Sequence, residues 1–133
     1  MEVLIMTVET ITIKPNSLYH HKVEGYIVPS DIYKFIVDFW RDNDNFEPKV
    51  NVIWDLRKVS LTNVSFETAD HIANTIMDNI IENHKPGLTA ILIEDNPEKH
   101  LAAYLANLLD RVHDRKVLMF HHYEQALNFI EEN

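Results

Sequence analysis

The chain has 133 residues, 46% hydrophobic and 25% charged, with no Cys and only two Gly. That length fits one domain, residues 1–133, with a core that needs neither a disulfide nor a structural metal. The lack of Cys excludes thiolate catalysis, thiolate zinc and iron–sulfur sites. The net charge of −9, with Arg57-Lys58 and Arg115-Lys116 as the densest basic pairs, argues against nucleic acid and anionic membranes as partners.

Residues 3–14 alternate, Val8, Thr10 and Thr12 against Glu9, Ile11 and Ile13, as a half-buried strand does. Pro15, Asn16 and Ser17 supply turn chemistry, and residues 18–28 form a hairpin partner. Pro29, Ser30 and Asp31 open a helix with Ser30 as expected N-cap; Ile32, Phe35, Ile36, Phe39 and Trp40 give it one apolar face. The acidic stretch Asp42–Glu47 and Pro48 end it. Val50–Leu56 reads as an interior strand, followed by a loop over 57–64. Ser65 caps a long helix whose stripe is Ala69, Ile72, Ala73, Ile76, Met77, Ile80 and Ile81. Lys85, Pro86 and Gly87 read as a break, and residues 88–94 as a strand covered on both faces. Asn96, Pro97 and Glu98 start a third helix, with Leu101, Tyr104, Leu105, Leu108 and Val112 buried. Residues 116–120 make a short strand and 122–132 a closing helix burying Ala126, Phe129 and Ile130.

This β-β-α-β-α-β-α-β-α order predicts a single α/β domain. Its expected sheet is mixed, mostly parallel and five-stranded, with an antiparallel N-terminal edge strand and four helices. No apolar run reaches the ~18 residues of a transmembrane helix. Met1–Met6 carries an acid where a secretory signal carries Lys or Arg, so a cytoplasmic location is expected.

The chemistry-bearing residues mostly argue against catalysis. Gly25 and Gly87 lie far apart, so neither a dinucleotide fingerprint nor a P-loop exists. His20 and His21 share a strand and point to opposite faces, so they cannot chelate one ion together. The eight histidines show no metal-ligand spacing and read as surface or cap residues. Asp42–Glu47 lacks the Gly of a calcium loop. No Ser sits on a glycine-flanked nucleophile elbow. The expectation is a non-enzyme with no cofactor and no metal. One constellation stands out, because ligand sites of parallel sheets gather where strands end and helices begin. Asp55 and Arg57 are followed by Asn63 and the helix-opening Ser65, with Glu94, Asp95 and Asn96 at the next strand end. Asp55, Arg57, Asn63, Ser65 and Asp95 are therefore the candidate interaction or ligand surface. The alternative is a loop braced by an Asp55–Arg57 network and capped by Ser65.

Three strings carry a family resemblance over nearly the whole chain: Val23–Ile27; Val52–Arg57 with Ser65, Phe66 and Glu67; and Phe120 with Glu124, Ala126, Leu127, Phe129 and Ile130. Together with the element order they resemble the STAS/SpoIIAA-like superfamily, the anti-sigma-factor-antagonist domains with their SpoIIAA-like branch. The resemblance implies a bacterial regulatory module that binds a protein partner, with a carrier or sensor of a small apolar ligand or lipid as the alternative. In the antagonists the second helix begins at a phosphorylated Ser within an Asp-Ser-Ser-Gly-like segment. Here Val64 stands at the phosphoacceptor and Asn63 at the preceding Asp, and the glycine is absent. Ser65 or Thr62 would serve only after a shift in register. Phe35, Phe39, Trp40, Trp54 and Tyr104 are the aromatic residues that an apolar ligand would meet, or else ordinary core. A homodimer is expected if one sheet face is left bare of helices.

Overall fold

Pro15 and Asn16 reverse the chain between β1 (Thr7–Lys14) and β2 (Leu18–Tyr26) in the computed structural model, which describes residues 5–41, 49–62, 64–80, 85–96, 99–110 and 116–132. Pro fixes φ at the second turn position, and Asn16 takes the positive φ of 65° required at the third, as a type II turn demands. The Ser17 N–H closes the turn on the Lys14 carbonyl at 3.1 Å, and the Asn16 N–H donates to the Tyr19 hydroxyl at 2.9 Å.

The chain continues as α1 (Pro29–Arg41), β3 (Lys49–Ser60), α2 (Phe66–Ile80), β4 (Lys85–Leu92), α3 (Lys99–Asp110), β5 (Val117–Phe120) and α4 (Tyr123–Glu131). The sheet runs β1-β2-β3-β4-β5, with β1 antiparallel to β2 and the other pairs parallel, so the expected architecture holds. Sequential neighbours joined by right-handed crossovers place α1, α2 and α3 on one face. There they bury Tyr19, Val23, Val52, Ile91 and Val117 under Ile36, Ile72, Ile76 and Ala102. On the other face α4 covers Leu18, Ile53, Ala90 and Leu92 with Ala126, Phe129 and Ile130. Ile11 on β1 and Leu118 on β5 stay partly exposed.

Four expectations about local structure need correction. The Asp31 and Ile32 N–H groups bond to the Val28 carbonyl, so Val28 is the N-cap of α1. Pro29 takes the first helical position, where its missing N–H costs nothing, and Ser30 lies inside the first turn. β3 runs on through Arg57–Ser60, where a loop was expected, because β2 extends beside it as far as Tyr26. Lys85, Pro86 and Gly87 belong to β4 rather than to a break. The last helix starts at Tyr123. Expectations on residues 3–4, Asp42–Glu47, Asn63, Ile81, Pro97, Glu98 and Val112, and on the side chains of Met77 and Ile80, fall outside the described residues.

Gly87 sits where β4 carries one extra residue against β3: Val50 pairs with Pro86, but Val52 pairs with Thr89. The Asn51 Oδ1 reaches across to accept the Leu88 N–H at 2.8 Å, satisfying a donor that the bulge takes out of the ladder. A Cβ on Gly87 would strike the Val50 carbonyl oxygen and lie 2.6 Å from Asn51 Oδ1. Gly87→Ala is therefore expected to destabilise the fold by about 3 kcal/mol, since backbone and not a flexible side chain has to move. Urea denaturation of the variant checks it, and a change under 1 kcal/mol would contradict this packing (roughly the scale of an ordinary surface substitution).

Candidate functional site

β3 outruns its neighbour. β4 ends at Leu92, opposite Asp55, while β3 continues to Ser60, paired among the described residues with β2 alone. The pairing shifts between Lys22↔Asp55 and Glu24↔Lys58, so β3 holds one extra residue here, and such a bulge re-aims side chains next to functional clefts. Asp55 is 5% exposed. The Arg57 guanidinium donates to it in a fork, Nε to Oδ1 at 2.9 Å and Nη2 to Oδ2 at 2.8 Å. The Arg57 backbone N–H reaches Oδ1 at 3.3 Å, and His20 Nε2 lies 3.1 Å from Oδ2. The carboxylate only accepts, so the Nε2 hydrogen of His20 points at it. The His20 ring packs against Tyr123 at the start of α4, 5.1 Å between centroids. Burial by itself pushes the Asp55 carboxyl up. The hydrogen bonds from the Arg57 side chain, His20 and the Arg57 backbone, with the Arg57 charge, outweigh it and hold the group well below the usual carboxylate range. The Asp55 hydrogen bond raises the Arg57 pKa against desolvation, and the charges of Asp55 and Glu94 add to it.

This cluster floors a cleft of about 220 Å³ beside the end of β4, lined by Lys22, Val23, Glu24, Asp55, Arg57, Lys58 and Glu94. Of the four described residues among the five singled out in the sequence, Asp55 and Arg57 come together, and the Asp55–Arg57 network named as the alternative is present. Ser65 is on the other side of the sheet, because α2 packs on the α1–α3 face while Asp55 faces α4. Ser65 caps α2 as expected: its Oγ accepts the Thr68 N–H at 3.1 Å. Asp95 is exposed and pairs with Lys99, one helical turn on in α3. Asn63 lies outside the described residues. Ser65→Ala is expected to lower stability by about 1 kcal/mol, the worth of an N-cap, with thermal denaturation as the readout; Ser65→Asp, which keeps an acceptor at the cap, should restore most of it.

Sequence reasoning missed two histidines. His20 and His21 point to opposite faces as expected, but both are buried, not surface or cap residues. His21 sits in a box of Phe35, Phe39 and Trp54 rings, with centroids 4.5 to 4.9 Å away. Its Nδ1 meets Thr10 Oγ1 at 2.9 Å, and its Nε2 has no partner among the described residues. The pattern carried part of the signal: His21 alternates with Tyr19 and Val23, which puts it on their face, but not that the Phe35 and Phe39 rings of α1 close over it. Of the aromatic residues Trp40 is core and Phe39 and Trp54 pack against it half-buried, while Phe35 and Tyr104 are half-buried, with Tyr104 donating its hydroxyl to Asp70 at 2.7 Å. A separate cavity of about 60 Å³ lies between the sheet and the three helices, walled by Ile27, Ile36, Trp54, Leu61, Ile72 and Leu105 among others, all apolar.

Among the described residues no three His, Asp or Glu side chains gather closely enough to hold a metal ion, and no helix is long and apolar enough to cross a membrane. No family model and no curated protein matches the chain. By structure it is similar to an uncharacterized protein from the DUF3478 family with a SpoIIAA-like fold, from Shewanella loihica PV-4. The TM-score is 0.58 and the identity 12%, over 98% of each chain. The fold of this chain is SpoIIAA-like, the α/β architecture that the three sequence strings resemble.

Proposed function

We propose that the protein is a non-enzymatic regulatory module that binds a protein partner at the carboxyl end of its parallel strands. The observation that carries this reading is Phe66, the first residue of α2, which is 59% exposed. An aromatic ring held in water at a helix start, against the edge of Tyr104 at 4.8 Å, is the kind of anchor that interfaces enrich. Ser65 and Thr62 stand beside it in sequence, both exposed. A phosphoryl group on Ser65 would put negative charge on the α2 N-terminus and change this surface without unfolding it. The non-enzymatic reading rests on the titratable groups. Asp55 has both oxygens occupied and its carboxyl held too acidic to take up a proton near neutrality, so it makes a poor general base. His21 is sealed in the core.

Affinity capture from the source cells compares wild type with Phe66→Glu and with Lys34→Glu, an exposed α1 control. A protein retained by wild type and Lys34→Glu but lost from Phe66→Glu is expected. The same proteins on all three baits would overturn this surface. The apolar cavity favours a second reading, a carrier of a small apolar ligand, because an apolar void of this kind stays dry and accepts hydrocarbon. Organic extraction and mass spectrometry of protein purified without denaturation test it, and the absence of any stoichiometric apolar compound would count against it.

A further inference from the structure

Among the described residues, the cleft beside the end of β4 is lined by three cations, Lys22, Arg57 and Lys58, and three anions, Glu24, Asp55 and Glu94. Two pairs neutralise each other internally. Asp55 and Arg57 meet at 2.8 Å, and Lys58 approaches Glu24 at 3.9 Å. Among the described residues that line the cleft, Lys22 on β2 and Glu94, just past the end of β4, stand outside those two pairs, with the Glu94 charge also acting on Arg57. They stand on opposite sides of β3. Lys22 is paired with Asp55, and Asp55 with Leu92, two residues before Glu94. Two strand spacings of about 4.8 Å, and a further offset of two residues along the chain, separate the backbones, and both side chains line the same cleft.

Between them lies Arg57. Its Nε and Nη2 are committed to Asp55, which leaves Nη1 as a donor not used in that fork. Asp55 is itself held by His20, and His20 by the packing of Tyr123. The guanidinium is thus fixed before any ligand arrives, which removes part of the ordering cost of binding.

We propose that this cleft binds a small zwitterion, a free amino acid with a short side chain, with its carboxylate between Lys22 and Arg57 and its ammonium group on Glu94. The volume supports that size: about 220 Å³ is short of the roughly 300 Å³ at which drug-sized ligand pockets begin. A simple anion fits less well, because it would leave Glu94 facing it, and a simple cation would meet Lys22 and Arg57. The site is on the opposite face of the sheet from Phe66, so it goes beyond the partner surface proposed above and stands or falls separately.

Isothermal titration calorimetry of the full chain tests it with glycine, alanine, serine and β-alanine, alongside acetate and methylammonium as half-ligands. Saturable heat is expected with at least one of the amino acids, and binding at least about tenfold weaker with either half-ligand, since each lacks one charge-assisted contact. Glu94→Gln and Lys22→Gln, both outside the Asp55–Arg57 fork, should each weaken the amino acid by about tenfold or more. Lys34→Gln on α1 should not. Circular dichroism confirms that each variant is folded. No heat with any of the four amino acids would overturn the proposal. So would acetate binding as tightly as glycine with no loss in Glu94→Gln, which would make the cleft an anion site.

Discussion

Below pH 6.5 the protein is expected to lose about 1 kcal/mol of stability for each pH unit, with His21 as the responsible group. Burial, followed by the neighbouring charge of His20, lowers the His21 pKa from 6.5 to about 3. Above pH 6.5 neither the folded nor the unfolded chain protonates this ring, so it contributes no pH dependence there. Below it the unfolded chain takes up a proton and the folded chain does not, so unfolding is favoured until the pH reaches about 3. The loss over the whole window is on the order of 5 kcal/mol, a large share of the 5–15 kcal/mol typical of a domain.

The cause is structural. Thr10 offers His21 one hydrogen bond, but its ring neighbours are Phe35, Phe39 and Trp54, and among the described residues no carboxylate pairs with the ring. His21→Leu keeps an apolar side chain of similar bulk in the aromatic box and removes the titration. Urea denaturation at pH 7, 6, 5 and 4 should show a shallower acid slope in the variant than in wild type. Equal slopes would mean that His21 is not the source.

The histidines also show where sequence reading succeeds and where it stops. Alternation along residues 18–23 was enough to send His20 and His21 to opposite faces, and hydrophobic periodicity was enough to order nine elements, all present in the structure. It did not show that both rings are buried, because that depends on what crosses above each face: the α1 aromatics over His21 and the start of α4 over His20. The same limit explains the two strand ends that were misread. Arg57–Ser60 is a strand because β2 runs beside it, and Pro86 and Gly87 enter a strand because Asn51 bonds past the bulge. Pairing partners distant in sequence decide both, and local propensity points the other way. The Asp55–Arg57 pair was legible as two opposite charges two residues apart at a strand end, where ligand sites of parallel sheets gather, but not as a pair on one continuing strand. Ser65 was legible as a cap, but not its separation from Asp55 by the thickness of the sheet, which follows from α2 crossing on the α1–α3 side.

Removal of Asp55 should be the most damaging single change in the polar cluster. Asp55→Ala leaves His20 buried without its acceptor and leaves the Arg57 charge, which is one-third exposed, without its partner. Breaking a buried ion pair typically costs 3–5 kcal/mol. Because water reaches Arg57, about 3 kcal/mol at pH 7 is expected. Arg57→Leu should cost about 2 kcal/mol, since Asp55 keeps His20 but loses the charge that compensates its burial. The double variant should be little worse than Asp55→Ala alone, giving a coupling energy near 2 kcal/mol, because the two side chains stabilise one and the same interaction. The pH dependence supplies an independent check. A carboxyl held acidic in the folded state stabilises it at pH values above the ordinary 3.8 of an unfolded Asp, and that stabilisation fades as the pH falls below that value. The gap between wild type and Asp55→Ala should therefore hold constant from pH 7 to pH 5 and narrow below pH 4, whereas the His21 effect is already well developed by then. A gap that is small at pH 7, or that does not narrow in acid, would mean that Asp55 is not the charged centre of this cluster.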